Sequence, residues 1–272
     1  MKIKLLTLLF LLTFCLHASA QQTARYSNYL FNPLALNPAA AGSYDYINVM
    51  GIYRNQWAGL EGSPTTSVIS VDGAAKGKTL GLGLQFINES IGALRQRGLV
   101  PTAAYRLRVG DESWLSGGFS VGIFNNKLIG SDLVFKDPND VALPTTTEGV
   151  TYIDVNSGVY FQSGKTTLGL SVVNLLKPSL RYTGGRRGDV SQVNRQYNLY
   201  GGYLIPLTEK FKLQPSVLFK TTEQLKTFQA DFGAMVFYKN LIGAGLSFRN
   251  KESVNFILDY WINDDFRLGY AF

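Results

Sequence analysis

The feature that most constrains the fold of this chain is an alternation of apolar residues with polar or small ones. In segment 80–86, leucine or phenylalanine alternates with glycine or glutamine, and segments 115–123, 167–172 and 254–260 repeat this pattern. Successive side chains of a β-strand point to opposite faces, so each segment has one apolar face and one small or polar face. Helical spacing of apolar residues is hard to find after residue 41. The sequence therefore predicts an all-β fold.

The predicted strands are long and numerous. About thirteen segments qualify, near residues 44–54, 65–74, 78–89, 97–109, 113–127, 152–162, 166–174, 195–205, 211–220, 227–238, 241–249, 253–261 and 266–272. Most reach the ~9–11 residues that a tilted membrane strand needs, whereas strands in globular proteins are typically about 5–6 residues long.

The connections between these segments alternate between short turns, as at 110–112 and 163–165, and longer stretches at 128–151 and 175–194. Tight turns on one membrane side and extended loops on the other are typical of outer-membrane barrels. Tyr and Trp residues near the strand ends suit the headgroup zone. We therefore predict a transmembrane antiparallel β-barrel of about 13–14 strands over residues 44–272. A soluble all-β core is the alternative. Because single-chain bacterial barrels favour even numbers, an odd count leaves open that a last strand is lacking.

The N-terminus differs from the rest. Lys2 and Lys4 precede an apolar run at 5–12, and Ala18-Ser19-Ala20 ends the segment, which predicts a secretory signal peptide over residues 1–20. Residues 21–43 follow as a predicted periplasmic arm. Two Asn-Pro pairs in this arm favour turns. We expect the arm either to pack into the barrel or to lie at its periplasmic mouth.

Composition excludes most catalytic chemistry. The only cysteine, Cys15, and the only histidine, His17, both lie in the predicted signal peptide. The mature chain then has no disulfide, thiolate nucleophile, zinc thiolate site or Ser-His-Asp mechanism. No catalytic, cofactor or metal site is predicted. Lys and Arg residues are scattered, so no nucleic-acid partner is predicted either.

A motif directly after the predicted signal peptide is the most specific signal in the chain. It reads N-P-A-x-A-G, then R-x-Q-W, then G-x-P-x-T. With the preceding Asn-Pro pair it comprises Asn32, Pro33, Asn37, Pro38, Ala39, Gly42, Arg54, Gln56, Trp57, Gly62, Pro64 and Thr65. This arrangement resembles the PorP/SprF family of type IX secretion outer-membrane proteins. The match is dense over residues 29–66.

The resemblance implies an integral barrel of the cell outer membrane that is not an enzyme and takes no cofactor. The implied partners are outer-membrane lipid, components of the type IX secretion and gliding machinery, and a secreted adhesin or other substrate with a sorting domain. The function it implies is support for export or surface attachment of that protein partner. The alternative is a passive outer-membrane channel for small or hydrophobic solutes.

Two interpretations apply to each half of the motif. Arg54, Gln56 and Trp57 either present a partner-binding edge or act structurally, with Trp57 as an interfacial anchor and Arg54 paired with a lumen carboxylate. The triplet 37–39 is either a docking element or a plug or turn.

Alternation also places charged residues on the lumen side, namely Arg106, Arg108, Asp154, Asp231 and Asp259. Such charges are expected to pair or to face water.

Overall fold

The computed structural model describes residues 31–75, 77–133, 147–181, 190–223, 227–250 and 252–272. The predicted signal peptide and the first ten residues of the predicted arm lie outside the described residues. Strands account for most of this part of the chain. They are β1 (Asn48–Asn55), β2 (Thr65–Ala74), β3 (Leu80–Ile91), β4 (Leu94–Gly110), β5 (Ser113–Leu128), β6 (Glu148–Ser163), β7 (Thr166–Val173), β8 (Ser179–Arg181), β9 (Val190–Gln192), β10 (Gln196–Tyr203), β11 (Ile205–Pro206), β12 (Phe211–Thr222), β13 (Phe228–Tyr238), β14 (Ile242–Arg249), β15 (Ser253–Trp261) and β16 (Arg267–Ala271). Three single-turn 3₁₀ helices cover Pro33–Ala35, Pro38–Ala40 and Gly130–Asp132.

One antiparallel sheet contains fourteen of the strands, and they follow one another in the order of the sequence. The strands β8 and β9 form a small separate hairpin, so β7 pairs with β10. Strand β11 pairs with β12 and continues the line of β10, so the sheet is thirteen strands wide. The all-β antiparallel fold predicted from the alternation is confirmed, and the thirteen strands across the sheet agree with the predicted count of about thirteen. The β8–β9 hairpin lies in the predicted long connection at 175–194 and was not predicted.

The first strand begins later than the sequence suggested. Alternation extends back to residue 44, but β1 starts at Asn48. Tyr44 and Tyr46 have the spacing of same-face strand neighbours, yet they lie in a bend before the strand and stack on each other with ring centroids 5.4 Å apart. The prediction that Tyr44 and Tyr46 belong to a strand was therefore wrong.

The two faces of the sheet have opposite chemistry. One face carries exposed aliphatic and aromatic side chains, such as Leu82 on β3, Phe119 on β5 and Leu246 on β14. The other face is buried and consists largely of glycine, serine, amides and charged residues. A soluble protein buries its apolar face. Here the apolar face points outward, as in a barrel whose exterior contacts lipid.

The sheet curls around the segment 31–43, because residues from strands throughout the sheet contact this segment. Ser70 on β2, Gly118 on β5, Tyr200 on β10 and Arg267 on β16 all approach it. Neighbouring strands run in opposite directions, so the first and the last of thirteen strands, β1 and β16, run in the same direction. Among the described residues, no hydrogen-bonded ladder joins these two edge strands. In the described part of the chain, no helix is both long and apolar enough to cross a membrane.

The outward face provides a test of lipid contact. Leu246 and Ile242 both lie outward on β14, the first in the middle of the strand and the second at its end. An Arg at the bilayer midplane costs about 2–4 kcal/mol, and one near the interface about 0–1 kcal/mol. We expect Leu246→Arg to lower the free energy of unfolding in lipid vesicles by the larger amount and Ile242→Arg by the smaller. Equal effects of the two substitutions would contradict a lipid-facing position for this surface.

Candidate functional site: the filled interior of the sheet

The segment Phe31–Ser43, called the plug below, is built from two tight turns with the same local design. Asn32 accepts a hydrogen bond from the backbone N–H of Ala35 (3.3 Å), and Asn37 accepts one from Ala39 (2.9 Å). A proline follows each asparagine at the first helical position, where its missing N–H costs nothing. The Asn-Pro pairs therefore fold the plug into two compact turns rather than an extended strand.

Asn37 fixes the plug to the wall. Its side-chain amide donates to the carbonyl oxygens of Val159 on β6 (2.9 Å) and Leu170 on β7 (3.3 Å). In return, the Ser171 hydroxyl donates to the Leu36 carbonyl at 2.6 Å. Asn37 is fully buried. Because an unmet buried polar group costs more than a hydrogen bond contributes, these contacts specify one position of the plug.

Inward glycines let the plug lie directly against the strands. A Cβ atom on Gly118 of β5 would fall 2.6 Å from the Ala39 Cα atom. A Cβ atom on Gly158 of β6 would overlap the Asn37 carboxamide, and one on Gly81 of β3 would overlap the Ala41 carbonyl oxygen. The plug therefore touches backbone on three strands, an approach that a larger residue would prevent.

Apolar contacts also join the plug to the sheet. Leu36, Ala39 and Ala40 form one buried cluster with three residues of the wall, which are Tyr160, Tyr200 and Leu218. At the other end of the plug, Phe31 packs against a second cluster formed by Met235, Phe237 and Ile257. The largest apolar core of the described residues is thus formed between the plug and the sheet. Tyr200 lies on β10 and faces this interior rather than the headgroup zone.

The two ends of the plug contact strands at opposite sides of the sheet. The backbone N–H of Gly42 donates to the Asp72 carboxylate on β2 (2.9 Å), while Phe31 stacks under the Arg267 guanidinium of β16 (3.9 Å). Burial, with smaller contributions from Tyr46 and Asp72, raises the pKa of Tyr44 to about 12, and Arg267 opposes this rise. A single side chain just after the plug is therefore influenced by residues of β2 and of β16.

Most of the predicted lumen charges lie inward and buried. Arg249 forms two parallel hydrogen bonds with Asp231, at 3.0 and 2.9 Å, and Arg267 does the same with Asp259, at 2.6 and 2.9 Å. The buried carboxylates of Asp231 and Asp259 thus meet the expectation that buried charges pair. Asp154 accepts a hydrogen bond from the Leu176 backbone N–H at 3.1 Å.

Two predicted lumen arginines behave differently from the paired ones. Arg106 is buried and lies over the Trp114 ring at 4.8 Å, and its Nε and Nη1 atoms have no hydrogen-bond partner among the described residues. Arg108 was predicted to lie in the lumen but has a largely exposed side chain. It lies at the end of β4 and donates to the Gly110 and Asp111 carbonyls of the adjoining turn.

The second half of the motif forms the β1–β2 loop. Arg54 donates to the Gln56 side chain (2.7 Å), and the Gln56 backbone N–H donates to the Pro64 carbonyl (2.9 Å). Trp57 is exposed and has φ +56, a left-handed conformation uncommon for a bulky residue. Gly62, with φ +72, accepts a hydrogen bond from the backbone N–H of Gly92, which links this loop to the β3–β4 turn.

The structure does not bring the two halves of the motif together. Asn32, Pro33, Asn37, Pro38, Ala39 and Gly42 lie in the plug, and Arg54, Gln56, Trp57, Gly62, Pro64 and Thr65 lie at the opposite end of β1. The sequence analysis missed the residues that receive the plug, including Gly118, Gly158, Tyr160 and Leu218. Glycine at inward strand positions was the available signal for the first two. Among the described residues, no group of three or more His, Cys, Asp or Glu side chains is placed to hold a metal ion.

Comparison with protein families decides the identity. A family model described as type IX secretion system membrane protein PorP/SprF matches residues 18–272, nearly the whole chain. The chain belongs to the PorP/SprF family. No curated protein sequence matches it significantly. Membership in the PorP/SprF family makes the plugged sheet part of a secretion-system membrane protein.

Two adjacent glycines of β5 allow a matched test of the plug in this PorP/SprF protein. Gly118→Ala places a methyl group against the plug backbone, and overpacking of this kind costs about 1–3 kcal/mol. Gly117→Ala points outward into open space. We expect faster hydrogen exchange at the amides of residues 35–37 and 39–41 in Gly118→Ala and none of this change in Gly117→Ala. If both variants protect these amides as the wild type does, the plug does not depend on this close contact.

Proposed function

We propose that this chain is a non-enzymatic outer-membrane β-barrel of the type IX secretion and gliding machinery that supports export or surface attachment of a secreted protein partner. The partner is a large adhesin or another substrate with a sorting domain. Family membership supports the link to secretion. The apolar outward face supports a position within lipid.

The observation that carries the proposal is the plug. Its turns occupy the inside of the curled sheet, contact backbone on several strands and form the main buried core. An interior occupied in this way favours a rigid frame that presents loops to proteins over a conduit for solutes. The passive-channel alternative is correspondingly disfavoured.

Connection lengths suggest an orientation. Short turns follow β2, β4 and β6, whereas the longest segments lie after β5 and β7, at the opposite end. In outer-membrane barrels, short turns are periplasmic and longer loops extracellular. The plug joins β1 at the short-turn end, so machinery components would meet the plug side. The β1–β2 loop with exposed Trp57 and the long segments would meet the secreted partner.

The described motif residues have roles in folding rather than in chemistry. Asn32 and Asn37 cap turns, Gln56 and Pro64 close the β1–β2 loop, and Gly42 contacts Asp72. None of these contacts assembles a nucleophile with a base, which supports the non-enzymatic assignment.

Conductance separates the two functions. In planar bilayers we expect the wild-type protein to show no steady conductance, because the plug fills the interior. A variant in which residues 33–41 are deleted is expected to conduct ions while it still inserts. The measurement is single-channel current at fixed voltage, with empty bilayers and Gly117→Ala as controls. Steady conductance by the wild type would favour the channel alternative instead.

Surface display tests the secretion role. Deletion of the gene is expected to abolish surface exposure of at least one substrate with a sorting domain, and wild-type complementation is expected to restore it. Trp57→Ala is expected to reduce display, because the exposed Trp57 side chain is available to contact the secreted partner. The amount of protein in the membrane is expected to stay the same, because this side chain is not part of the buried core. The comparison is surface proteomics of the wild type, the deletion strain, the complemented strain and the Trp57→Ala strain. Unchanged display of all sorted substrates after gene deletion would refute the proposal.

A further inference from the structure

Within the described strands, the outward face of the main sheet carries charged residues at a single place. Along each strand, the alternation of exposure separates outward from inward residues. Among the outward-facing residues of the described strands, only Arg95, Arg97 and Lys127 are charged. All three are basic, and they lie together on the neighbouring strands β4 and β5. We call these three residues the basic patch.

Within the basic patch, positive charges lie closer together than the sheet alone favours. Arg95 lies directly opposite Lys127 in the β4–β5 register, and like charges opposite each other are destabilising. Asp132 pairs with Arg95 at 3.1 Å and is the acid that the described structure places beside the patch. Arg97 makes one long hydrogen bond, from Nε to the Asn88 side chain at 3.4 Å, and is otherwise exposed beside exposed Lys127. The patch therefore keeps an excess of positive charge.

The height of the patch matches the headgroup layer. Leu99, two residues along β4 from Arg97, pairs with Phe86 on one side and Ile123 on the other, and all three are exposed apolar residues. Since a strand rises about 3.3–3.4 Å per residue, Arg97 lies roughly 7 Å beyond this apolar row. Long basic side chains at this level reach the polar interface while their stems cover apolar surface.

We propose that the basic patch binds the phosphate groups of anionic lipid headgroups in the leaflet at the long-loop end of the barrel. Guanidinium groups match phosphate oxygens with paired donors, and a lysine ammonium adds a point charge. Neutral polar side chains of the same outward band, Asn125 and Thr151, lie beside the patch and are hydrogen-bonded to each other at 2.9 Å. This inference rests on the membrane placement in the proposed function.

Native mass spectrometry of the full-length protein with bound phosphatidylglycerol tests the inference. The variant is the double substitution Arg97→Gln with Lys127→Gln, and the control is Lys239→Gln, an exposed lysine in the turn after β13. Removal of one basic residue near an anionic surface is expected to weaken retention about 5-fold. We therefore expect a loss on the order of 10-fold or more for the double variant, and none for the control or for phosphatidylcholine.

Three results would overturn the inference. These are equal phosphatidylglycerol retention by the double variant and the wild type, an equal loss in Lys239→Gln, and displacement of the lipid by millimolar inorganic phosphate, which would indicate a site for free phosphate. Flotation with phosphatidylcholine vesicles tests membrane insertion separately. Failure of the wild type to float counts against the proposed function, whereas normal flotation of every variant with unchanged lipid retention counts against the basic patch alone.

Discussion

The structure depends on the contact between the plug and the inward glycines of the sheet. A sheet with its apolar side chains on the outside has no ordinary core, because its inner face is made of glycine, hydroxyl, amide and charged groups. The plug supplies the missing core. Gly118 and Gly158 have no side chains, so their strands can lie directly against Ala39 and Asn37. The same close approach both stabilises the curled sheet and fills its interior.

Polar groups on the inner wall reinforce this contact and fix the strand register. Ser171 donates to the plug at Leu36 and accepts a hydrogen bond from Asn198 on the next strand at 3.1 Å. Gln196 in turn donates to Asn198 at 2.6 Å. A network in which each buried member is satisfied specifies a unique arrangement more strongly than apolar packing does. The plug is therefore one partner in a network that also aligns β7 with β10.

The alternation in the sequence predicted the sheet well because lipid and lumen impose opposite chemistry on successive residues. The predicted strand at 78–89 overlaps β3 (Leu80–Ile91) over ten residues, and the inward positions of Asp231 and Asp259 follow from the same parity. The fate of residues 31–43 could not be derived in this way. Asn-Pro pairs predict turns, but whether a turn fills the barrel depends on glycines more than a hundred residues away in some cases, such as Gly158. Arg108 shows a second limit of the alternation. The alternation predicts which face of the strand the residue lies on, but not that it lies at the end of β4, where its side chain is exposed.

The structure divides the motif between two places, the plug and the β1–β2 loop. Eight residues of β1 run from the plug end of the barrel to the β1–β2 loop. At the loop, the Gly92 N–H that bonds to Gly62 ties the motif to the β3–β4 hairpin, and the basic patch begins on that hairpin at Arg95. One rim of the barrel therefore combines the exposed aromatic of the motif with the only outward charges of the described strands. If the proposed binding of lipid headgroups holds, the patch would keep this rim, and with it Trp57, at a fixed height relative to the membrane, where the proposed function expects the secreted partner.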